Sequence, residues 1–154
     1  VDVVDGKLNL AKKMGADIVL NPNKDDVVGT VLKETNNQGA DVVIEVAGND
    51  SAIQLCSDVL KHGGIMGLYS WVLEPAQLYI NRWHNDGFDI RTLALMHRIK
   101  IDRPWWIEKT MQNVANGMIQ IDSLISHVFD LADAAKAFDV ACNDPDACKV
   151  MLRP

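Results

Sequence analysis

Basic residues are in the minority in this chain. Lysine and arginine number 15 against 21 aspartates and glutamates, for a formal net charge of -6 and a pI near 5.0. A protein that grips a phosphate backbone concentrates cations, so this balance excludes nucleic acid as a partner. Long apolar runs are missing, as is a basic N-terminal region followed by an apolar core. Neither membrane insertion nor secretion is signalled, and a cytoplasmic location is the expectation. Cysteine is sparse: Cys56, Cys142 and Cys148 cannot all pair and show no C-x-x-C spacing, so they read as reduced thiols of an intracellular protein. His62, His84, His97 and His127 are scattered, with no i, i+4 pair around a glutamate, which leaves no internal metal site. Repeats and low-complexity tracts are also absent. What remains is a chain of 154 residues, 48% of them hydrophobic, with no Gly/Ser linker dividing it. That is enough apolar material for one sizeable core, and one globular domain over residues 1–154 is expected.

The chain opens "VDVVDGKLNLAKKMGAD", which reads as the end of a strand running directly into a helix whose apolar stripe is Leu8, Leu10, Ala11 and Met14 and whose stop is Gly15. "DIVLNP" has the composition of a short strand stopped by Asn21 and Pro22. Val27, Val28, Val31 and Leu32 predict a second helix ended by "NNQG", and "ADVVIEVAG" a buried strand. Asn49 and Asp50 are N-cap residues for a helix carrying Ala52, Leu55, Cys56, Val59 and Leu60 at helical spacing. "KHGG" is expected to end it and "GIMGLYS" to form the next strand. An edge strand is expected at Gln77 to Asn81, then a strand at "IRTLAL". Next comes a helix from about Asp102 and Pro104 with a buried stripe of Ile107, Met111, Val114 and Met118. Of the adjacent tryptophans, one of Trp105 and Trp106 should enter the core and the other face solvent. "LISHVFDL" reads as a strand, "ADAAKAFDVAC" as a helix and "CKVML" as a terminal strand. Strands alternating with helices imply an α/β fold: a mainly parallel sheet with right-handed crossovers and helices on both faces.

The order "KLNLAKKMGAD", "GADVVIEVAG", "LKHGGIMGLYS" and "LISHVFDLADAAKAFDVACNDPDACKVMLRP" resembles the cofactor-binding and C-terminal part of the medium-chain zinc-dependent alcohol and polyol dehydrogenases, over nearly the whole chain. The resemblance implies a Rossmann-like sheet in which a G-x-G-x-x-G turn holds the cofactor pyrophosphate and an acid ending the second strand binds the adenosine ribose. By this likeness Val1 and Asp2 are the last residues of that second strand, and the first strand, the glycine turn and the zinc-bearing catalytic domain belong ahead of residue 1. The fold is then a truncated one.

From the same resemblance, Asp2 is the candidate ribose acid, with Lys7 opening the next helix at the family's spacing. A carboxylate there favours NAD over NADP by repelling a 2′-phosphate. A solvated acid is the alternative reading of Asp2, and Asp5, otherwise a turn acid or cap, is the runner-up. Val46 and Gly48 correspond to backbone near the nicotinamide ribose, Gly67 and Leu68 to backbone holding the nicotinamide, and Lys149 to a basic side chain reaching the phosphates. Ordinary turn, packing or surface roles are the alternatives for these residues. No catalytic residue and no metal ligand is expected in this chain, although zinc serves the family, and NAD binding should be weak or vestigial. With the central strands lacking, "DIVLN" and "DVVIEV" would face empty positions. Either the first moves beside the second or another copy of the chain fills the gap. A homo-oligomer, a dimer first of all, or the missing catalytic domain is thus the expected partner. The competing reading is a non-enzymatic binding or assembly module that keeps the fold.

Overall fold

The computed structural model describes residues 1–72, 75–93 and 99–154. In chain order they form α1 (Asp5–Lys13), α2 (Val27–Glu34), β1 (Ala40–Glu45), α3 (Asp50–Val59), β2 (Leu60–Leu68), α4 (Asn81–Asn85), β3 (Asp89–Thr92), α5 (Ile99–Ala115), β4 (Ile125–Asp130), α6 (Ala134–Asn143) and β5 (Lys149–Arg153). They divide into two compact units, one of Asp26–Ile101 and one of Val1–Asp25 with Asp102–Pro154. Among the described residues no helix is long and apolar enough to cross a membrane.

In the Asp26–Ile101 unit, Asp26 caps α2 by accepting from the Gly29 amide at 2.9 Å. The helix stops because Asn36 and Asn37 turn left-handed, at φ 52° and 61°, as the polar cluster predicts. Thr35 then accepts the Gly39 amide at 3.0 Å through its hydroxyl and hands the chain to β1. Strands β1, β2 and β3 form one parallel sheet in that order. Asn49 caps α3 through the Ala52 amide at 3.0 Å, and α3 packs on β1, β2 and α2. Ile53, Val59, Leu60 and Met66 form the buried centre. Leu60 at 1% exposure and Met66 at 0% each contribute about 1.5–3 kcal/mol by leaving water.

The junction between α3 and β2 differs from the expectation. "KHGG" does not separate them: β2 begins at Leu60, directly after the helix, pairs there with Ala40, and resumes regular pairing only at Ile65. Gly63, at φ +66°, lets the intervening residues bulge out of the ladder. Arg82 supplies what a C-cap would have supplied. Its guanidinium donates to the carbonyls of Ser57 at 2.8 Å, Asp58 at 3.1 Å and Leu60 at 3.2 Å, and is held by Asp86.

Gln77 to Asn81 is not an edge strand. The Gln77 amide donates to the Asp50 carboxylate at 3.0 Å and the Tyr79 amide to the Gln54 side chain at 3.2 Å. Side chains of α3 thereby take the donors a ladder would have used. Of "IRTLAL", β3 covers residues up to Thr92, and the remainder extends outside the described residues.

In the other unit, β4 and β5 pair in parallel and α6 crosses between them and packs on both, with Ala137 buried. "DIVLN" has no strand partner among the described residues. Its backbone bonds are from the Asp2 amide to the Leu20 carbonyl at 3.2 Å and from the Lys24 and Asp25 amides to the Asn21 carbonyl at 2.9 and 2.8 Å. It therefore forms no ladder with "DVVIEV" or any other described segment, and among the described residues β1 stands at the edge of its sheet. Buried Asn21 fastens this region instead, donating to the Val3 carbonyl at 3.1 Å and the Asp5 carboxylate at 2.8 Å. Helix α5 begins at Ile99 rather than near Asp102, and its expected buried stripe is open to solvent at Ile107, Met111 and Met118. Trp105 and Trp106 are both exposed, at 55% and 41%, and meet edge to face at 4.7 Å. Neither is a core residue, since each finds its aromatic neighbour in the other.

Candidate binding edge at the carboxyl ends of the strands

In an open parallel sheet the backbone at the carboxyl ends of the strands is unpaired and faces a crevice, which is where such folds take ligands. The register aligns these ends: Glu45 stands beside Leu68, and Leu68 beside Thr92. Glu45, the last residue of β1, is only 1% exposed. One of its carboxylate oxygens accepts the amides of Ala47 and Gly48, both at 2.7 Å, and the other accepts the Ser70 hydroxyl. Its carbonyl takes the Tyr69 amide at 2.9 Å and the Ser70 amide at 3.3 Å. The exits of β1 and β2 are therefore tied to each other through one residue.

Gly48 has φ +76°, and a Cβ there would stand 3.0 Å from the Trp71 carbonyl oxygen and 3.3 Å from the Ser70 Cβ. Glycine is required on both counts. Val46 beside it is exposed. Gly67 is buried, and a Cβ on it would come 2.7 Å from the end of the Leu93 side chain. The fold thus brings Val46, Gly48, Gly67 and Leu68 together at one edge.

Asp2, Lys7 and Lys149 belong to the other unit. Asp2 is half-buried and accepts the Val4 amide at 2.9 Å through one carboxylate oxygen. Lys7 is half-buried in the first turn of α1, and Lys149 is exposed at the start of β5. Gly6 lies directly against Asp146, so the beginning of α1 and the turn leading into β5 are neighbours. Asp5, the runner-up, is engaged by Lys24 and Asn21, whose hydrogen bonds hold its carboxyl below the usual range.

The residues that sequence reasoning passed over are Glu45 and Ser70. The available signal was an acid between Ile44 and Val46 at the end of an apolar run, three residues before Gly48. Cys56 feels that acid. Burial first, and the Glu45 charge second, push its thiol up to about 11, so it stays protonated at neutral pH. Iodoacetamide at mildly alkaline pH, followed by peptide mass spectrometry, should modify exposed Cys142 and Cys148 well before Cys56. Equal rates at all three would contradict this.

No group of three or more His, Cys, Asp or Glu side chains among the described residues is arranged to hold a metal ion. Cys56 lies in one unit and Cys142 and Cys148 in the other. His62 lies 3.5 Å from Asp86 and His127 3.8 Å from Asp144, neither within a cluster of donors.

Residues 1–120 match the family model described as zinc-binding dehydrogenase. The chain is 30% identical over its whole length to an alcohol dehydrogenase of Cupriavidus necator, of which it covers 42%. It superposes on L-idonate 5-dehydrogenase from Escherichia coli with a TM-score of 0.80 at 25% identity, covering 98% of this chain and 41% of that one. An Escherichia coli alcohol dehydrogenase solved with NADH shares the fold, with a TM-score of 0.77 at 22% identity and coverage of 97% of this chain and 42% of that one. The chain thus spans about two fifths of the length of these relatives.

Proposed function

The chain belongs to the zinc-binding dehydrogenase family, and on that premise we propose that it is the NAD-binding part of an alcohol or polyol dehydrogenase, a single incomplete dinucleotide-binding domain with its C-terminal extension. The observation that carries this reading is the glycine-lined edge at the exits of β1 and β2, within the segment that matches the family. NAD supplies the hydride chemistry when bound, and the chain supplies binding and orientation. Backbone at Val46 and Gly48 passes the nicotinamide ribose and backbone at Gly67 and Leu68 holds the nicotinamide; in the other unit, taken by itself, Asp2 with Lys7 is the candidate for an adenosine ribose and Lys149 for a phosphate. The relative solved with NADH supports NAD as the cofactor class. A self-associating or domain-docked state belongs to the same reading, supported by the unpaired edge of β1 and exposed Val42 and Ile44 beside it. So does a cytoplasmic setting, supported by three free thiols.

The sequence contains no G-x-G-x-x-G turn, and helix N-terminal amides in that turn supply much of the pyrophosphate grip. Affinity should be no better than about millimolar, worth at most about -4 kcal/mol. Titrating the isotope-labelled chain with NAD should shift the amides of Val46 to Gly48 and of Gly67 and Leu68, with NADP binding more weakly. Absence of any shift at saturating NAD, or a preference for NADP, would overturn the proposal.

A further inference from the structure

We propose that Glu45 is a positioning residue for the nicotinamide end of the cofactor, acting by fixing the spacing between the two backbone exits that flank the ring. This rests on the cofactor reading above and deepens it.

A carboxylate at the buried end of an apolar strand is costly to bury, and it persists only where the lone pairs it exposes to the interior are matched. Glu45 meets that condition with three donors: the Ala47 and Gly48 amides on its own side and the Ser70 hydroxyl across the gap. All three lie on the exits of β1 and β2 and none on the helices behind the sheet. A residue recruited merely to hold the core would be bonded toward α3. This one is bonded toward the edge. Its carbonyl repeats the pattern, receiving Tyr69 and Ser70 from β2.

The chemistry of the group matters as well as its position. An ionised carboxylate is acceptor-only, so it can take two amides and a hydroxyl at once. A glutamine could keep both amide bonds on its carbonyl oxygen and offer its NH2 to Ser70, which would then become the acceptor. An alanine would leave the amides of residues 47 and 48 without a buried partner. The variants are therefore graded. Ser70→Ala cuts only the tie across the gap, Glu45→Gln preserves the shape of the joint with reversed polarity at Ser70, and Glu45→Ala removes the joint.

The test is saturation-transfer difference NMR on the full chain with NAD, comparing the nicotinamide with the adenine protons, with thermal unfolding run beside it to select folded variants. In the parent chain both ends should receive saturation. Ser70→Ala should lower the nicotinamide signal by about fivefold, the scale of one lost hydrogen bond, and leave the adenine signal unchanged. Glu45→Gln should restore most of the nicotinamide signal relative to Glu45→Ala. A merely structural role would lower both ends together. An unchanged ratio in folded Ser70→Ala, or a Glu45→Gln signal no higher than that of Glu45→Ala, overturns the inference while leaving the cofactor reading intact, and so does a parent chain that contacts adenine only. A parent chain in which neither end receives saturation overturns the cofactor reading and this inference with it.

Discussion

Supplied with NAD, zinc and a panel of simple alcohols and polyols, the 154 residues by themselves are expected to form no NADH above the protein-free blank. Removing hydride from an alcohol is easy only once its oxygen is ionised, and an unassisted alcohol stays protonated at neutral pH. A metal with an open coordination position lowers that barrier, but it needs three protein ligands held in advance. The described residues offer no such group, and added zinc cannot create a preorganised three-ligand site. The second deficit is geometric. Holding donor and acceptor carbons near contact accounts for about 7–11 kcal/mol of a barrier, which is at least five orders of magnitude in rate. The strand-end edge would orient the nicotinamide alone, leaving the alcohol free in solution. NADH absorbance, followed for the chain alone and for the chain mixed with a separately expressed catalytic domain of a relative, gives the answer. Turnover confined to the mixture would show a competent half of an enzyme. Zinc-dependent turnover by the chain alone would contradict the reading of its donors.

Gly39→Ala should cost about 2–5 kcal/mol, enough to unfold a marginal unit. Two effects add. Gly39 has φ +90°, where an L side chain meets its own backbone at a cost of about 1–2 kcal/mol. A Cβ there would also lie 2.8 Å from both the Lys61 nitrogen and the Val59 carbonyl oxygen, and 3.0 Å from the Leu60 carbonyl carbon. All three are backbone atoms at the joint where α3 passes into β2, so relief requires parting Ala40 from Leu60, and overpacking of this kind costs about 1–3 kcal/mol. Gly63→Ala is the control. Its φ is +66° but nothing lies within 4 Å, so only the backbone term applies. Urea unfolding followed by circular dichroism should give a markedly lower midpoint for the first variant than for the second. Equal midpoints would mean that the contact at Gly39 is relieved without cost.

The elements most legible in the sequence were those whose signal is local. Helix α3 carries its own cap in Asn49, and α6 and the strands on either side of it were found in the same way. The stripe expected on α3 through Ala52, Leu55, Cys56 and Val59, by contrast, is fully buried only at Val59, with Ile53 and Ser57 the other buried residues of the helix. "DIVLN" shows why the rest was not. Its composition matches that of β1, yet a strand is a property of a pair, and β1 has β2 while "DIVLN" has no ladder partner among the described residues, only one bond to Asp2 and two that turn the chain after Asn21. The segment around Gln77 to Asn81 was misread for a related reason, because Asp50 and Gln54 sit far away in sequence and their claim on its amides has no local trace. The stripe of α5 is periodic in the sequence and exposed in the fold, since periodicity says which residues share a face and says nothing about what covers it.

By itself the sequence determined the alternation of strands and helices and the parallel character of the sheet, because these follow from spacing, caps and residue type along short stretches, while the family and the strand-exit glycines were legible through the resemblance of four ordered motifs. Tertiary structure alone decided that Glu45 is a joint between two strands, that β2 starts without a turn, and that the candidate residues divide between two units. Each of these depends on which distant groups satisfy a buried donor or acceptor, and a hydrogen bond across twenty-five residues leaves no periodicity behind.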